Sequence, residues 1–135
     1  MIIEEYQINI SGEREIPSLI LKIKDLMHLH ARESSLTGLS SITTATLELT
    51  RNIIAYAGRG KVFIRIKSHN QRKLLEVEAL DQGPGIENIA LALQDHYSSG
   101  KTLGLGLPGA RRLMDSFEIE SSIGHGTQVI IQKWI

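Results

Sequence analysis

The sequence has no cysteine, only three prolines, few aromatic residues (4%) and no excess of charge of either sign. Without cysteine, disulfide scaffolds, thiolate metal sites and cysteine nucleophiles are excluded. The 15 basic and 15 acidic side chains give a formal net charge of zero, which removes the electrostatic case for nucleic acid or an anionic membrane as the main partner. No apolar run approaches the roughly 20 residues of a membrane span, and the N-terminus lacks the apolar core of a signal peptide. We therefore expect a cytoplasmic protein.

What the sequence does contain is the pattern of an ordinary globular protein, and we expect a single domain over residues 1–135. Alternating apolar residues predict strands at 2–10, 61–67, 74–80, 117–122 and 128–134. Apolar spacings of three and four predict a helix that opens at Pro17, a second over 42–57 that stops at Gly58, and a third long helix from Ala110 to Phe117.

Two stretches are predicted as loops. Residues 36–41 are rich in small polar residues, and residues 81–109 are rich in glycine and proline, with a short helical piece near 89–93. Adjacent strands joined by short turns imply hairpins. We therefore predict an α+β fold, a two-layer α/β sandwich whose mixed, mostly antiparallel sheet is covered on one face by about three helices.

The second predicted helix carries the first chemically informative pair. Glu48 and Asn52 are four residues apart, on one edge of the buried face of the helix. A carboxylate and an amide oxygen side by side suit a hard cation such as Mg²⁺, and Glu48 can alternatively serve as a general base. The same spacing also fits a solvated polar stripe with a Glu48–Arg51 ion pair. The helix alone leaves these hypotheses open.

The segment Asp81-Gln-Gly-Pro-Gly85 directly follows a predicted strand. An acidic residue followed by two glycines is often only a turn. An aspartate held at a strand end can instead accept hydrogen bonds from an amino group such as that of adenine, while the glycines let a flat ring approach the backbone. Both interpretations stay open for this segment taken alone.

The glycine-rich segment Gly104–Gly109 precedes the third predicted helix, where free N–H groups form a natural phosphate site. It matches the dinucleotide-binding fingerprint literally, but no strand leads into it, so a Rossmann fold is not supported. Gly100-Lys-Thr102 resembles the end of a P-loop, but Asp95 occupies the place of that motif's first glycine. His28 and His30 point about 200° apart on a helix and predict no metal pair.

The order of these segments is more specific than any one of them. Glu48-Leu-Thr-Arg-Asn52 on a helix is followed by Asp81-x-Gly-x-Gly85, Gly104-x-Gly-x-x-Gly109 and Gly124-x-Gly-Thr127. This series, which covers residues 42–135, resembles the four motif boxes of the GHKL ATPase superfamily and its Bergerat fold. Strings such as Glu-Leu-Thr-Arg-Asn-Ile and Leu-Gly-Leu-Pro-Gly-Ala-Arg-Arg are similar to those of the anti-sigma-factor serine/threonine kinases, in particular the stressosome switch kinases.

The resemblance implies a role for each matching residue. Asn52 would coordinate a Mg²⁺ ion that bridges the phosphates of ATP, and Glu48 would orient or deprotonate the attacking hydroxyl, with Arg51 supporting the site. Asp81 would bind the adenine amino group, and Thr127 would assist it through a hydroxyl or a water. The glycines would line the nucleotide: Gly83 and Gly85 at the adenine, Gly104, Gly106 and Gly109 at the phosphates.

The activity implied by the resemblance is that of an ATP-dependent protein serine/threonine kinase. Its substrate would be a STAS-domain antagonist protein, and it would switch partners to regulate a sigma-factor or stress-signalling pathway, with a phosphatase or a sigma factor as the alternate partner and a homodimer as one assembly. Two other hypotheses stay open, namely a detached histidine-kinase ATPase domain and a nucleotide-dependent binding module that needs no catalysis. Residues 96–102 match the family's ATP lid only loosely, so the contact with the γ-phosphate is not assigned.

Overall fold

The computed structural model describes residues 1–86, 89–93 and 106–135. Within these ranges the strands are Ile2–Ile10 (β1), Gly60–His69 (β2), Arg72–Asp81 (β3), Ser116–Ser122 (β4) and Gly126–Trp134 (β5). The α-helices are Ile16–His30 (α1), Leu39–Asn52 (α2), Ile89–Ala92 (α3) and Gly106–Leu113 (α4). No helix in this part of the chain has the length and apolarity needed to cross a membrane.

The strands form one sheet in the order β1-β2-β3-β5-β4. All four pairings are antiparallel, so the described strands contain no parallel pair of the kind a mixed sheet would include. This antiparallel order also confirms that the fold is not a doubly wound dinucleotide-binding sheet. At the β2–β3 hairpin, Asn70 and Gln71 have φ angles of 51° and 68°, the signature of a type I′ turn.

The core lies between one face of the sheet and the helices. Alternation along β2 buries Val62, Ile64 and Ile66 completely, because every second side chain of a strand points to the same face. The helices add fully or almost fully buried side chains to the same core, among them Leu19, Ile23 and Met27 of α1, Ile42, Ala45 and Leu49 of α2, and Leu107 and Ala110 of α4. The predicted two-layer α+β architecture, with helices on one face, is confirmed.

The other face of the sheet carries charged side chains. Glu76 lies on this face and is only 3% exposed, although none of the described helices covers it. Its carboxylate accepts from Arg65 (2.9 Å), Lys67 (3.0 Å) and Gln132 (2.7 Å), and Arg65 also binds Glu78 at 2.8 Å. Burial raises the pKa of Glu76, but these hydrogen bonds outweigh burial and hold that pKa below its usual range.

The third predicted helix is wrong in its position, because α4 already begins at Gly106, within the segment predicted as a loop. Helix α4 ends at Leu113, and Phe117 lies in β4. The apolar spacing of this segment fits a helix, but pairing with β5 determines its conformation. The N–H of Asp115 already donates to the carbonyl of Gln132 at 2.9 Å, and the ladder continues from Ser116.

Two further boundaries differ from the prediction. Residues 36–41 were expected to be a loop, but a 3₁₀ turn spans Glu33–Gly38 and α2 begins at Leu39. At the other end of α2, the helix widens into a π-helical turn over Ile53–Ala57. Gly58 ends this turn with φ +81°, and its N–H donates to the carbonyl of Ile53 at 2.9 Å. The stop at Gly58 is confirmed.

Candidate functional site

Glu48 and Asn52 lie half-buried at the end of α2, and the first residue of α4 lies against them. A Cβ atom added to Gly106 would be 3.5 Å from Glu48 Oε2 and 3.6 Å from Asn52 Oδ1. The two oxygens therefore face a small space that any side chain at position 106 would fill. Because the first N–H groups of a helix have no partner within it, α4 adds hydrogen-bond donors and a positive dipole end to the same space.

Arg51 lies on the solvent side of this pair. Its side chain is 53% exposed, and Nη1 is 3.9 Å from Glu48 Oε1. This is the ion pair that the alternative interpretation of the helix required, but it is long and engages only one carboxylate oxygen. The other oxygen, Oε2, is the one that faces Gly106. The ion pair and the proposed chemistry of Glu48 are therefore compatible.

Asp81 is the last residue of β3 and forms the second part of the site. Its Oδ1 accepts the N–H of Gly83 at 2.9 Å, and its carboxylate also accepts a backbone N–H from Thr127. Burial raises the pKa of Asp81, and these two hydrogen bonds only partly counter that effect. A half-buried carboxylate whose pKa is raised, at the end of a strand, is typical of a binding position.

The glycines after Asp81 are required by packing. A Cβ at Gly83 would lie 2.8 Å from the Cβ of Ala57, so this loop lies directly against the end of the π-helical turn. Gly85 has φ +81°, and a Cβ there would lie 2.1 Å from the carbonyl oxygen of Ser122. The loop can therefore follow this path only with glycine at both positions.

Side chains from three neighbouring strands form a polar row beside this loop. Asp81 of β3 is paired with Thr127 of β5, and Thr127 is paired with Ser121 of β4, so the three side chains point to the same face. The Oγ atoms of Ser121 and Thr127 are 2.7 Å apart. The sequence analysis missed Ser121. Counting back from the tight turn at Gly124 would have paired it with Thr127 across the predicted hairpin.

The structure thus places the predicted residues in two groups. Glu48, Asn52 and Gly106 form one group, and the residues at the end of β3 form the other. The π-helical turn connects them, because Ala57, about one helical turn beyond Asn52, contacts Gly83. A Cβ at Gly109 would meet nothing within 4 Å, so packing gives no reason for glycine there. Gly104 and the lid residues 96–102 lie outside the described residues.

The two groups offer complementary chemistry. The Asp81 group presents hydrogen-bond acceptors and glycine backbone, which suit a flat ring with an amino group. The Glu48 group combines oxygen ligands with a helix N-terminus, which suits a divalent cation and phosphate. Among the described residues no three acidic, histidine or cysteine side chains are close enough to hold a metal ion. A Mg²⁺ ion here would therefore take most of its ligands from phosphate and water, as Mg²⁺ commonly does.

The family model of the histidine kinase-like ATPase domain matches residues 22–133. The chain belongs to this family. The matched region contains every residue of both groups, including the members that lie on α2, β3 and α4.

Similarity to individual proteins indicates to which group within this family the chain belongs. The serine/threonine-protein kinase RsbT of Bacillus subtilis (strain 168) is 46% identical over 94 residues, which are 70% of this chain and 71% of the relative. The anti-sigma F factor of Clostridium beijerinckii is 31% identical over 100 residues, 70% of each chain. The identity with the Bacillus kinase assigns the chain to the protein serine/threonine kinases of this family.

Among solved structures, a mycobacterial sensor histidine kinase, MprB, superposes with a TM-score of 0.58 over 97% of both chains at 16% identity. At that identity the likeness shows the fold alone. It confirms the GHKL-type architecture and does not bear on which amino acid receives the phosphate.

Proposed function

We propose that the chain is a cytoplasmic kinase that transfers the γ-phosphate of Mg-ATP to a serine or threonine of a STAS-domain antagonist protein. One kinase domain would span residues 1–135. The observation that carries the proposal is the position of Glu48 Oε2 and Asn52 Oδ1, both within 3.6 Å of the Cβ position of Gly106. Phosphoryl transfer needs a positioned carboxylate, oxygen ligands for a cation and N–H donors for phosphate, and these groups converge there.

The adenine would bind at the Asp81 group. The Asp81 carboxylate would accept the N–H of the exocyclic amino group, and Thr127 would assist it from the neighbouring strand. Gly83 and Gly85 leave the backbone bare, so the ring can lie close to the loop. The carboxylate is suited to this role because partial burial strengthens a charge-assisted hydrogen bond.

The phosphates would bind at the start of α4. The N–H groups at Gly106, with Gly104 and Gly109 in the same segment, would hold their oxygens. Asn52 Oδ1 would contribute one ligand to Mg²⁺, and the donor set fits this ion because an amide oxygen and phosphate oxygens are hard ligands. When bound, Mg²⁺ would neutralise charge on the transferring phosphate.

Glu48 would act on the attacking hydroxyl of the substrate protein. As the serine or threonine oxygen bonds to the γ-phosphorus and the bond to the β,γ-bridging oxygen breaks, Glu48 would orient the hydroxyl and take its proton. ADP leaves with the bridging oxygen. Arg51, 3.9 Å from the other carboxylate oxygen, would help to hold the orientation of Glu48.

Phosphorylation would switch the partners of the kinase. A phosphate adds a charge of about −1.5 to −2 to the antagonist's interface, which weakens that complex and frees the kinase for an alternate partner. The name of one relative, an anti-sigma F factor, supports a sigma factor as that partner, and a phosphatase is the other partner that we propose from the family resemblance. A homodimer is consistent with this proposal, and nucleic acid and membrane are not proposed as partners.

The decisive test is transfer from γ-labelled Mg-ATP into proteins of a lysate from the source organism. We expect acid-stable label on a small separate protein, its loss with Glu48→Gln, and its retention with the matched control Glu118→Gln, which alters an exposed carboxylate of β4. Acid-labile label would instead indicate transfer to histidine. Nucleotide binding without any label would identify a binding module, and either result would overturn the proposal.

A further inference from the structure

Ser121, the member of the polar row that lies on β4, forms hydrogen bonds with three other residues. Its Oγ lies 2.8 Å from the N atom of Ile86, 2.9 Å from the carbonyl oxygen of Gly126 and 2.7 Å from the Oγ1 of Thr127. Ile86 directly follows the glycine loop, whereas Gly126 and Thr127 open β5. One hydroxyl therefore connects the loop after Asp81 to the strand that carries Thr127.

Hydrogen accounting fixes the direction of each of these bonds. A serine hydroxyl has one proton to donate and two positions at which it accepts. The N–H of Ile86 can only donate, so it occupies one accepting position of Ser121 Oγ. The carbonyl of Gly126 can only accept, so it takes the proton of Ser121. The third bond must then run from the hydroxyl of Thr127 to Ser121.

This direction determines what Thr127 can offer to a ligand. With its proton committed to Ser121, Thr127 Oγ1 presents only lone pairs. Thr127 is also the partner of Asp81 in the β-ladder, and directly paired side chains on one face are about 5 Å apart at Cβ. The row therefore presents a carboxylate and a hydroxyl that both accept hydrogen bonds.

We propose that Ser121 is a positioning residue for base selection, holding Thr127 as an acceptor so that the site favours a purine with an amino group at position 6 over one with a carbonyl there. The inference rests on the proposed ATP-binding function. Adenine can donate both protons of its amino group to two acceptors. Guanine presents a carbonyl oxygen at the same place, which two acceptors repel, and a binding site discriminates strongly when polar groups are left unpaired.

The experiment compares equilibrium dissociation constants of ATP and GTP for the full chain, measured by calorimetry. For Ser121→Ala, Thr127 is free to turn its proton toward the base, so we expect the preference for ATP over GTP to fall about three- to tenfold. Ser121→Thr keeps the hydroxyl and should restore the preference. Ser122→Ala, in the adjacent exposed position of β4, should leave it unchanged.

The following results distinguish a role of Ser121 in base selection from a role in stabilising the fold alone. Equal weakening of ATP and GTP in Ser121→Ala, or an unchanged preference, would overturn the inference. Thr127→Val should lower the preference by itself, and Ser121→Ala should add nothing in that background; an additive effect would contradict the proposed coupling. If Ser121→Ala does not fold, Ser121→Cys, which is close in size and only a weak acceptor for the Thr127 hydroxyl, takes its place with the same expected fall in preference. Failure of the unaltered chain to bind ATP would overturn the proposed function itself.

Discussion

Asp81 keeps its carboxylate in a half-buried position, and this has a cost for the protein without nucleotide. Burial raises the pKa of Asp81 despite the hydrogen bonds from Gly83 and Thr127. A folded-state pKa above the unfolded value means that the folded state binds the proton more tightly, so stability falls as pH rises through that window. Above that window the ionised Asp81 therefore destabilises the fold, while it would supply the acceptor that we propose for an amino group.

Replacing Asp81 by asparagine should separate stability from binding. Asp81→Asn removes the charge but keeps an oxygen for the N–H of Gly83, so the melting temperature at pH 7 without nucleotide should rise. The gain should vanish as pH falls below the ordinary range of aspartate. ATP affinity should fall about tenfold to a hundredfold, since a charge-assisted hydrogen bond is lost. Calorimetry checks both effects, with Asp25→Asn on the exposed face of α1 as control. A lower melting temperature would contradict this prediction.

Thr46 is a second residue whose buried polar group lowers the stability of the fold. It is fully buried in α2, and its Oγ1 has no hydrogen-bond partner within the described part of the chain. Thr46→Val replaces the hydroxyl by a methyl group of similar shape, so we expect the free energy of unfolding in urea to rise by about 1 kcal/mol. Thr50→Val is the matched control, because Thr50 Oγ1 donates to the carbonyl of Thr46 at 2.8 Å and its loss should destabilise. Destabilisation by Thr46→Val would show that this hydroxyl has a partner.

The absence of a side chain at Gly106, the first residue of α4, leaves open the space that we propose for phosphate. Gly106→Ala would place a Cβ at ordinary contact distance from Glu48 and Asn52, and alanine favours helix. We therefore expect the unfolding free energy to change by less than about 1 kcal/mol, while ATP affinity falls at least about tenfold because the phosphate space is filled. Gly12→Ala, which meets nothing within 4 Å, should change neither. Unchanged ATP affinity in Gly106→Ala would remove α4 from the phosphate site.

The β2–β3 hairpin lies at the end of the sheet away from Asp81. A substitution there should therefore change the stability of the fold without changing ATP affinity. Gln71 has φ 68°, a conformation in which glycine avoids the steric cost of a side chain. Gln71→Gly creates the Asn-Gly pair favoured in type I′ turns, so we expect about 0.5–1 kcal/mol of stabilisation. The same substitution at exposed Gln7 in β1 should destabilise instead. Thermal unfolding distinguishes the two, and ATP affinity should stay unchanged in both.

The whole molecule uses the two faces of one sheet differently. The face under the helices is apolar and positions the end of α2 against α4. The other face carries a network of ion pairs around Glu76 and Arg65, whose members satisfy one another where no described helix covers them. Both layers end at the same edge, where the loop after Asp81 meets the π-helical turn.

Features of the fold that neighbouring residues determine could be predicted from the sequence, whereas features that depend on contacts between distant segments could not. The bounds of β1, Ile2–Ile10, and the stop at Gly58 were predictable because strand alternation and a terminating glycine are local signals. The end of α4 at Leu113 was not, because pairing with β5 overrides the helical spacing that also included Phe117. The strand over 117–122 was predicted from its own alternation and is confirmed. The contact of Glu48 and Asn52 with Gly106 was expected from the family resemblance alone, since no local rule relates α2 to a segment about 50 residues later.

The measurement to make first is a calorimetric titration of ATP, with and without Mg²⁺, into the unaltered chain and into Asn52→Ala. We predict that Mg²⁺ tightens ATP binding to the unaltered chain and to the control Asn9→Ala. In Asn52→Ala this gain should be lost, with adenosine affinity unchanged, because only the phosphate end has been altered. No ATP binding by the unaltered chain, or a full Mg²⁺ effect in Asn52→Ala, would contradict a Mg-ATP site built from α2, β3 and α4.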